Sequence, residues 1–167
     1  ILLNGLINLQ ENEINQVFNN KIIPTINSLD ELKKFYELSK SLSPMPKVTL
    51  HFDTGINRLG IEQGEANQVI EYCKKFQIQV FCVMSHFASA DEKNNNFNNE
   101  QNLKFKEIIN DFPNAIHSIA NSHAIINLNK IEYNLVRTGG CVFGTIEAKP
   151  FKSVVELYAK ILQIKFI

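Results

Sequence analysis

The chain has 167 residues, with 17 lysines and arginines against 17 aspartates and glutamates, and 44% of its residues are hydrophobic. This size and composition are typical of one soluble globular domain. A formal net charge of zero argues against a nucleic-acid or anionic-membrane surface, because both partners select a clustered excess of basic residues. No apolar run reaches the length of a membrane span.

Cysteine and histidine spacing argues against both disulfides and metal. The cysteines, Cys73, Cys82 and Cys141, are odd in number and lie among apolar residues, which predicts buried thiols in a reducing compartment, the cytoplasm. The histidines come from different segments without paired ligand spacing, so no metal site is predicted. They are His51, His86, His117 and His123.

Both ends of the sequence have the character of interior segments. The chain begins with the apolar run ILLNGLI, without an initiator Met or a basic stretch of the signal-peptide type. It ends in VVELYAKILQIKFI, an apolar pattern with no polar tail. We therefore expect both ends to be cut from a longer fold.

Short apolar runs alternate with longer stretches of helical period, a pattern that predicts repeated βα units and a parallel sheet in an α/β domain. Six strands are predicted, at residues 1–6, 21–26, 48–52, 79–84, 116–120 and 134–136. The asparagine-rich run at residues 93–99 is predicted to be a solvated loop.

Four amphipathic helices are predicted between these strands, and the weakest uses Ile14, Val17 and Phe18. The next begins with a capping box formed by Ser28 and Glu31. The apolar stripes of the other three are Leu29, Leu32, Phe35, Tyr36 and Leu42; Ala66, Val69, Ile70, Cys73 and Phe76; and Phe105, Ile108, Ile109 and Phe112.

Polar residues follow four successive predicted strands, as DTGINRLG, SHFASADE, NSH and RTGG. Because the carboxyl ends of parallel strands meet at one edge, we expect these segments to share one rim. Ser122 is placed to cap a short helix that begins near Ala124, and Gly139 and Gly140 let backbone amides approach an anion. These features predict a phosphate site at the rim. The alternative is that Ser122 only caps a helix and the two glycines only form a turn.

Four segments in order, KVTLHFDTGINRLGI, VMSHFASADE, IANSHAIIN and YNLVRTGGCVFG, resemble successive motifs of bacterial alanine racemase, a family of fold-type III pyridoxal-phosphate enzymes. The resemblance covers essentially the whole chain. It implies a partial TIM (βα)8 barrel, about strands 3 to 8, over residues 1–150. Residues 151–167 would then begin a C-terminal β domain, and the family forms homodimers.

The resemblance implies interconversion of L- and D-alanine, which supplies D-alanine for peptidoglycan. The cofactor would be pyridoxal 5'-phosphate, held as a Schiff base on a lysine and acting as an electron sink for the carbanion at the substrate Cα. Racemisation needs a base on each face of Cα. The family's lysine and its opposite-face tyrosine have no counterpart here, so this fragment alone is expected to be inactive unless a complementing polypeptide supplies them.

By the same resemblance, Arg137 points its guanidinium at the pyridine nitrogen of the cofactor, and an exposed arginine at a helix end is the alternative. Ser122 and the backbone of Gly139 and Gly140 would hold the phosphate, while Asn121 supports their loop. These are the cofactor-binding residues that the resemblance implies.

Two more residues would support catalysis. His86 is expected to hydrogen-bond toward Arg137 and the catalytic tyrosine and to orient them. Arg58 would approach the cofactor phenolate and the substrate carboxylate. Structural roles in the strand-to-loop turn are expected for Asp53, Thr54 and Gly55.

Three positions depart from the family pattern. His51 stands where many relatives carry a lysine, often carbamylated, that braces the arginine, so Arg58 is expected to be held differently. Gly140 replaces a residue that is commonly Ile, and Phe143 one that is commonly Tyr.

Three functions stay open at this point: part of an alanine racemase, a pyridoxal-phosphate-binding barrel without turnover, or a degenerate remnant. The segments SHFASADE and VRTGG favour the racemase.

Overall fold

The computed structural model of the chain describes residues 1–128, 132–146, 149, 151–152 and 154–165. Its centre is a parallel sheet in which each strand pairs with the next one along the chain. The strands are β1 (Thr25–Ile26), β2 (Val48–His51), β3 (Val80–Met84) and β4 (Ile116–Ser118). The predicted α/β class and parallel sheet are confirmed.

Helices connect these strands, as parallel pairing requires. In the described part of the chain they are α1 (Glu11–Asn19), α2 (Leu29–Ser39), α3 (Ala66–Lys75), α4 (Phe97–Ile109), α5 (Ser122–Asn127) and α6 (Gly139–Phe143). The weakest predicted helix is confirmed as α1, whose residues Ile14, Val17 and Phe18 are all buried. No helix among the described residues is long and apolar enough to cross a membrane.

The hydrophobic core lies between the sheet and the apolar faces of the helices. All four residues of β2 are buried, the polar Thr49 and His51 included, so the strand is covered on both faces. Phe35, Phe52 and Phe105 are the largest side chains with almost no exposed surface. Each such side chain stabilises the fold by about 1.5–3 kcal/mol on burial. The cysteines Cys73, Cys82 and Cys141 are buried and free, as predicted.

The predicted strand at residues 1–6 is wrong, and the one at residues 21–26 is too long. Leu2 makes a single parallel bridge with Pro24, and Gly5 then turns the chain away with φ +70°. Lys21 has φ 55°, a left-handed conformation that interrupts an extended strand. Only Thr25–Ile26 remains in the sheet.

The predicted strand at residues 134–136 is also wrong. The side-chain Oδ1 of Asn134 accepts the His117 N–H at 3.1 Å, and so replaces a backbone carbonyl in the ladder. This segment therefore forms no strand and makes only isolated backbone contacts, including a parallel bridge between Asn121 and Arg137. This bridge nevertheless places Arg137 beside the end of β4.

The predicted capping box of α2 is half correct. The Ser28 hydroxyl accepts the Glu31 N–H at 3.1 Å, which confirms the cap. The Glu31 carboxylate does not return to Ser28 and instead accepts the N–H groups of Asn27 and Leu6. Leu42, predicted in the apolar stripe, lies beyond the end of α2 and is exposed.

The predicted solvated loop at residues 93–99 is partly wrong, because α4 begins at Phe97. Asn98 is buried, and its side-chain amide donates to the carbonyls of Ser89 and Glu92. The loop was predicted from the polar composition of the run, and this composition does not reveal that the Asn98 side chain is buried.

Candidate functional site

The carboxyl ends of β2, β3 and β4 form one rim, as the sequence predicts. His51 ends β2, His86 follows β3, and Asn121 follows β4. The bridge between Asn121 and Arg137 adds a fourth segment to this edge. The structure therefore brings together the predicted residues of four separate segments.

Arg137 is the most strongly held side chain of the rim. Its Nη1 donates to the carbonyl and the hydroxyl of Ser118, at 3.1 and 2.5 Å. Its Nη2 donates to the Ser85 carbonyl at 2.5 Å and approaches His86 Nδ1 at 3.2 Å. These contacts use all four terminal N–H groups, and Nε–H has no acceptor among the described residues.

His86 is a neutral imidazole whose tautomer follows from Arg137. Burial, together with the charges of Arg137 and Arg58, lowers the pKa of His86 to about 4. An arginine only donates, so Nδ1 carries the lone pair and Nε2 carries the proton. Nε2 lies 3.3 Å from the Asn121 amide nitrogen, which is also a donor, so the Nε2 proton has no acceptor among the described residues.

Asn121 and Ser122 organise the start of α5. The predicted cap at Ser122 is wrong, because Asn121 is the N-cap and its Oδ1 accepts the Ala124 N–H at 2.9 Å. Ser122 is the first helical residue, and its Oγ accepts the Cys141 N–H at 3.3 Å. This bond ties α5 to α6, so the first turns of the two helices lie side by side.

Gly139 and Gly140 begin α6 rather than a turn. Thr138 provides no side-chain cap, and the N–H groups of both glycines find no acceptor among the described residues. A Cβ at Gly139 would meet nothing within 4 Å, whereas one at Gly140 would lie 2.5 Å from the Ile146 side chain. The first turn of α6 thus offers two free amides with open space beside the first.

Backbone hydrogen bonds join the two ends of the loop at residues 53–60 to each other and to the end of β2. The Ile61 N–H donates to the His51 carbonyl at 2.7 Å, and the Asp53 N–H donates to the Ile61 carbonyl at 2.9 Å. The Asp53 carboxylate accepts the Gly55 N–H at 2.8 Å, and a Cβ at Gly55 would lie 2.5 Å from the Phe97 ring. These contacts agree with the structural roles expected for this turn.

Arg58, on that loop, is exposed and has no hydrogen-bond partner among the described residues. Burial is the main cause of the lowered pKa of His51, His86 and Arg137, and the charge of Arg58 contributes to each of these shifts. The side chain therefore lies within electrostatic reach of the rim without being fixed to it.

Gln101 on α4 is a buried residue of the rim that the sequence did not single out. Its Nε2 donates to Thr54 Oγ1 at 3.1 Å and to the His86 carbonyl at 3.0 Å, and its Oε1 accepts the Ala88 N–H at 2.9 Å. Thr54 Oγ1 in turn lies 2.7 Å from Ser85 Oγ. Gln101 was missed because it follows an asparagine-rich run and no pattern marks it as buried.

Comparison with known proteins identifies the family of the chain. Residues 1–147 match the family model described as alanine racemase, N-terminal domain. The chain is 31% identical to an alanine racemase of Rickettsia bellii over 99% of its own length and 41% of the relative's. It is 35% identical to an alanine racemase of Fusobacterium nucleatum over 93% of the chain and 45% of that relative.

Solved structures give the same result. An alanine racemase of Bartonella henselae with covalently bound pyridoxal phosphate superimposes with a TM-score of 0.76 and 26% identity, over 91% of this chain and 45% of that one. An alanine racemase of Clostridium difficile 630 gives a TM-score of 0.68 and 28% identity, over 78% of this chain and 36% of that one.

The chain spans less than half the length of these relatives. The family match nevertheless covers most of the chain, including the whole rim. The chain therefore belongs to the family of alanine racemase N-terminal domains.

Proposed function

We propose that the rim binds pyridoxal 5'-phosphate and that the protein takes part in interconverting L- and D-alanine. Family membership supports the reaction class, and the Bartonella henselae relative carries the cofactor covalently. When bound, the cofactor supplies an electron sink for negative charge at the substrate Cα. Supply of D-alanine for peptidoglycan, a cytoplasmic location and a homodimer are further parts of this proposal.

The observation that carries the proposal is the fixed guanidinium of Arg137. Its terminal N–H groups are held by Ser85, Ser118 and His86, so among the described residues only the Nε–H of this guanidinium is left without an acceptor. A pyridine nitrogen is an acceptor of this kind. Because arginine stays protonated, Arg137 would bind that nitrogen without giving it a proton.

The first turns of α5 and α6 suit a phosphate group. The amides of Gly139 and Gly140 are free donors among the described residues, and the Ser122 oxygen already accepts from Cys141, so its own proton remains available. Amide donors with an adjacent hydroxyl match the acceptor oxygens of a phosphate. We propose that Asn121 keeps these donors in place through its cap on α5.

His86 and Arg58 complete the proposed site. The Nε2–H of His86 needs an acceptor, and the phenolic oxygen of the family's catalytic tyrosine is one. Arg58, at the edge of the rim, has no hydrogen-bond partner among the described residues and is suited to the substrate carboxylate and the cofactor phenolate. In this proposal His86 orients its neighbours and does not titrate near neutral pH, because its pKa is about 4.

Neither catalytic base of the family has a counterpart in residues 1–167, so we expect this segment alone to bind cofactor without racemising alanine. A cofactor-binding barrel without turnover is the alternative function. We further propose that residues 1–150 belong to the barrel, as about its strands 3 to 8, and that residues 151–167 begin the next domain.

Titration with pyridoxal 5'-phosphate tests the proposal. The protein, expressed at its natural length, should give a saturable change in cofactor absorbance, and Arg137→Ala should alter that spectrum because it removes the cation beside the ring. Lys74→Ala is the control, since this exposed lysine pairs with Asp111 away from the rim.

A racemisation assay on L-alanine separates the two functions. Saturable binding with turnover supports the racemase, and saturable binding without turnover supports the binding barrel. No saturable binding, or a spectrum unchanged by Arg137→Ala, would overturn the proposed site.

A further inference from the structure

Gln101 occupies a position in α4 where an apolar side chain would be expected. The buried residues of this helix are Asn98, Gln101 and Phe105, which lie on one face, and Gln101 has no exposed surface. Burying an uncharged amide costs free energy unless its donors and its acceptor are hydrogen-bonded. What Gln101 contributes therefore depends on the groups that its amide contacts.

Three hydrogen bonds join the Gln101 amide to segments at the rim. Nε2 donates to Thr54 Oγ1 at 3.1 Å and to the His86 carbonyl at 3.0 Å, and Oε1 accepts the Ala88 N–H at 2.9 Å. The Ala88 N–H needs an acceptor and the His86 carbonyl needs a donor, so these contacts fix the orientation of the amide. Gln101 thus joins the loop after β2, which carries Thr54, to the segment after β3.

The segment that Gln101 holds also supplies the acceptors of Arg137 Nη2. This nitrogen donates to the Ser85 carbonyl at 2.5 Å and approaches His86 Nδ1 at 3.2 Å. Gln101 binds the His86 carbonyl directly. It reaches Ser85 through Thr54, whose Oγ1 lies 2.7 Å from Ser85 Oγ. Both acceptors of Nη2 therefore belong to residues that are linked to Gln101.

The other terminal nitrogen of Arg137 is held by a different strand. Nη1 donates to the carbonyl and the hydroxyl of Ser118, at the end of β4. Within the described part of the chain, the hydrogen bonds of the Gln101 side chain go to Thr54, His86 and Ala88 and not to β4. The two halves of the guanidinium therefore have separate supports, and a change at Gln101 should loosen Nη2 more than Nη1.

We propose that Gln101 is a positioning residue for Arg137: from α4 it holds Thr54 and the segment at residues 85–88 in place, and so sets the acceptors that orient Nη2. This inference rests on the proposed function in one respect, that the oriented guanidinium meets the cofactor ring. Because the Gln101 amide is neutral, it orients the cation without changing the charge of the rim. An apolar side chain of similar size fills the same space without these hydrogen bonds, so substitution separates positioning from packing.

Gln101→Met makes this separation, since methionine is of similar length but its thioether donates no hydrogen bond. The measurement is the rate at which phenylglyoxal modifies Arg137, followed by peptide mass mapping of the protein at its natural length without cofactor. We expect a rate about threefold higher or more, because Nη2 loses its fixed acceptors. Gln101→Ala, which leaves room for water at the freed groups, is a second variant with the same expected rise. An unchanged Arg137 rate in either variant, once folded, would overturn the proposal.

Phe105→Leu is the matched control, because it should reduce stability without touching these hydrogen bonds. Phe105 lies one turn further along α4, is fully buried, and packs against the Tyr133 ring at a centroid distance of 5.2 Å. The substitution should lower the unfolding midpoint but leave the Arg137 rate unchanged. An equal rise of that rate in Phe105→Leu and Gln101→Met would overturn the proposal, because it would show a general loosening around α4.

Nitrogen-15 NMR of the Arg137 guanidinium tests the difference between its two terminal nitrogens. Its signals are identified by their loss in Arg137→Lys. In the unaltered protein we expect slow rotation about both Cζ–Nη bonds, because both nitrogens are hydrogen-bonded. Gln101→Met should speed rotation about the bond to Nη2 and leave rotation about the bond to Nη1 slow. Rotation that speeds equally at both bonds, or at neither, would overturn the proposal.

Neither measurement involves the cofactor, so the two proposals fail separately. An unchanged Arg137 rate in Gln101→Met would leave cofactor binding at the rim intact. Conversely, an absent absorbance change would reject the cofactor site while the role of Gln101 toward the guanidinium stands.

Discussion

The two arginines of the chain lie at the same rim but in opposite physical states. Arg137 is half-buried and held through four N–H groups by the ends of β3 and β4. Arg58 is exposed on the loop at residues 53–60, without a hydrogen bond among the described residues. One guanidinium is fixed before any ligand arrives, and the other is free to adjust to one.

In the function proposed above, this difference suits the two arginines to different tasks. A fixed donor suits a rigid ring, because it need not be ordered on binding. An exposed donor suits a small substrate that must enter and leave. Substitutions at the rim test this difference, because we expect them to change stability and ligand binding to different extents.

The largest effect is expected for Arg137→Ala. It leaves the Ser85 carbonyl and the buried Ser118 hydroxyl without their donor, which should lower the free energy of unfolding by about 2–4 kcal/mol. Arg58→Ala should change it by less than about 0.5 kcal/mol. Urea unfolding of both variants measures the contrast, and equal losses would show that Arg137 is not the fixed member of the pair.

Gln101→Ala comes next, because Gln101 holds the segment that carries His86. Its three hydrogen bonds join Thr54, His86 and Ala88, so their removal from a fully buried position should cost about 2–3 kcal/mol. Gln68→Ala, at an exposed position on α3, is the matched control and should cost less than about 0.5 kcal/mol. Indistinguishable unfolding midpoints for the two variants would show that the hydrogen bonds of Gln101 do not stabilise the fold.

The third prediction concerns pH. The pKa of His51 and of His86 is lowered to about 4 in the folded protein, against about 6.5 in an unfolded chain. Between these values the unfolded state binds more protons, so stability should fall as pH decreases from about 6.5 to about 4. His51→Gln and His86→Gln should each flatten this slope in thermal unfolding, and a slope unchanged in both would contradict the buried, neutral histidines.

The smallest stability effect is expected for Gly139→Ala. A methyl group there meets no atom within 4 Å, so the fold should keep its stability or gain a few tenths of a kcal/mol from helix propensity. The same methyl group should hinder an anion at the first turn of α6 and weaken cofactor binding several-fold by calorimetry. Unchanged affinity would place the phosphate elsewhere.

Much of the fold could be predicted from the sequence, because apolar periodicity reflects burial directly. The strands at residues 48–52, 79–84 and 116–120 and the Ser28 cap were predicted within one or two residues. The errors lie where one side chain or one backbone angle overrides the pattern. Gly5 turns the first apolar run out of the sheet, and Asn134 takes the N–H that the last predicted strand needed.

The rim could be located from the sequence, but its internal contacts could not. Motifs predicted which segments meet, since parallel strands share an edge. They did not predict that Asn121 rather than Ser122 caps α5, because both are good caps and one residue separates them. The contacts of Asn27, Glu31 and Gln101 with the rim are long-range and leave no local signal.

We propose that this rim is a pyridoxal-phosphate site in which the guanidinium of Arg137 is in place before the cofactor binds. The most direct test is a comparison of pyridoxal 5'-phosphate with pyridoxal, which lacks the phosphate, on the protein at its natural length and on Arg137→Ala. We predict saturable binding that weakens without the phosphate, and a cofactor spectrum that changes without the arginine. Equal binding of both ligands, together with a cofactor spectrum that Arg137→Ala leaves unchanged, would show that the rim is not the cofactor site.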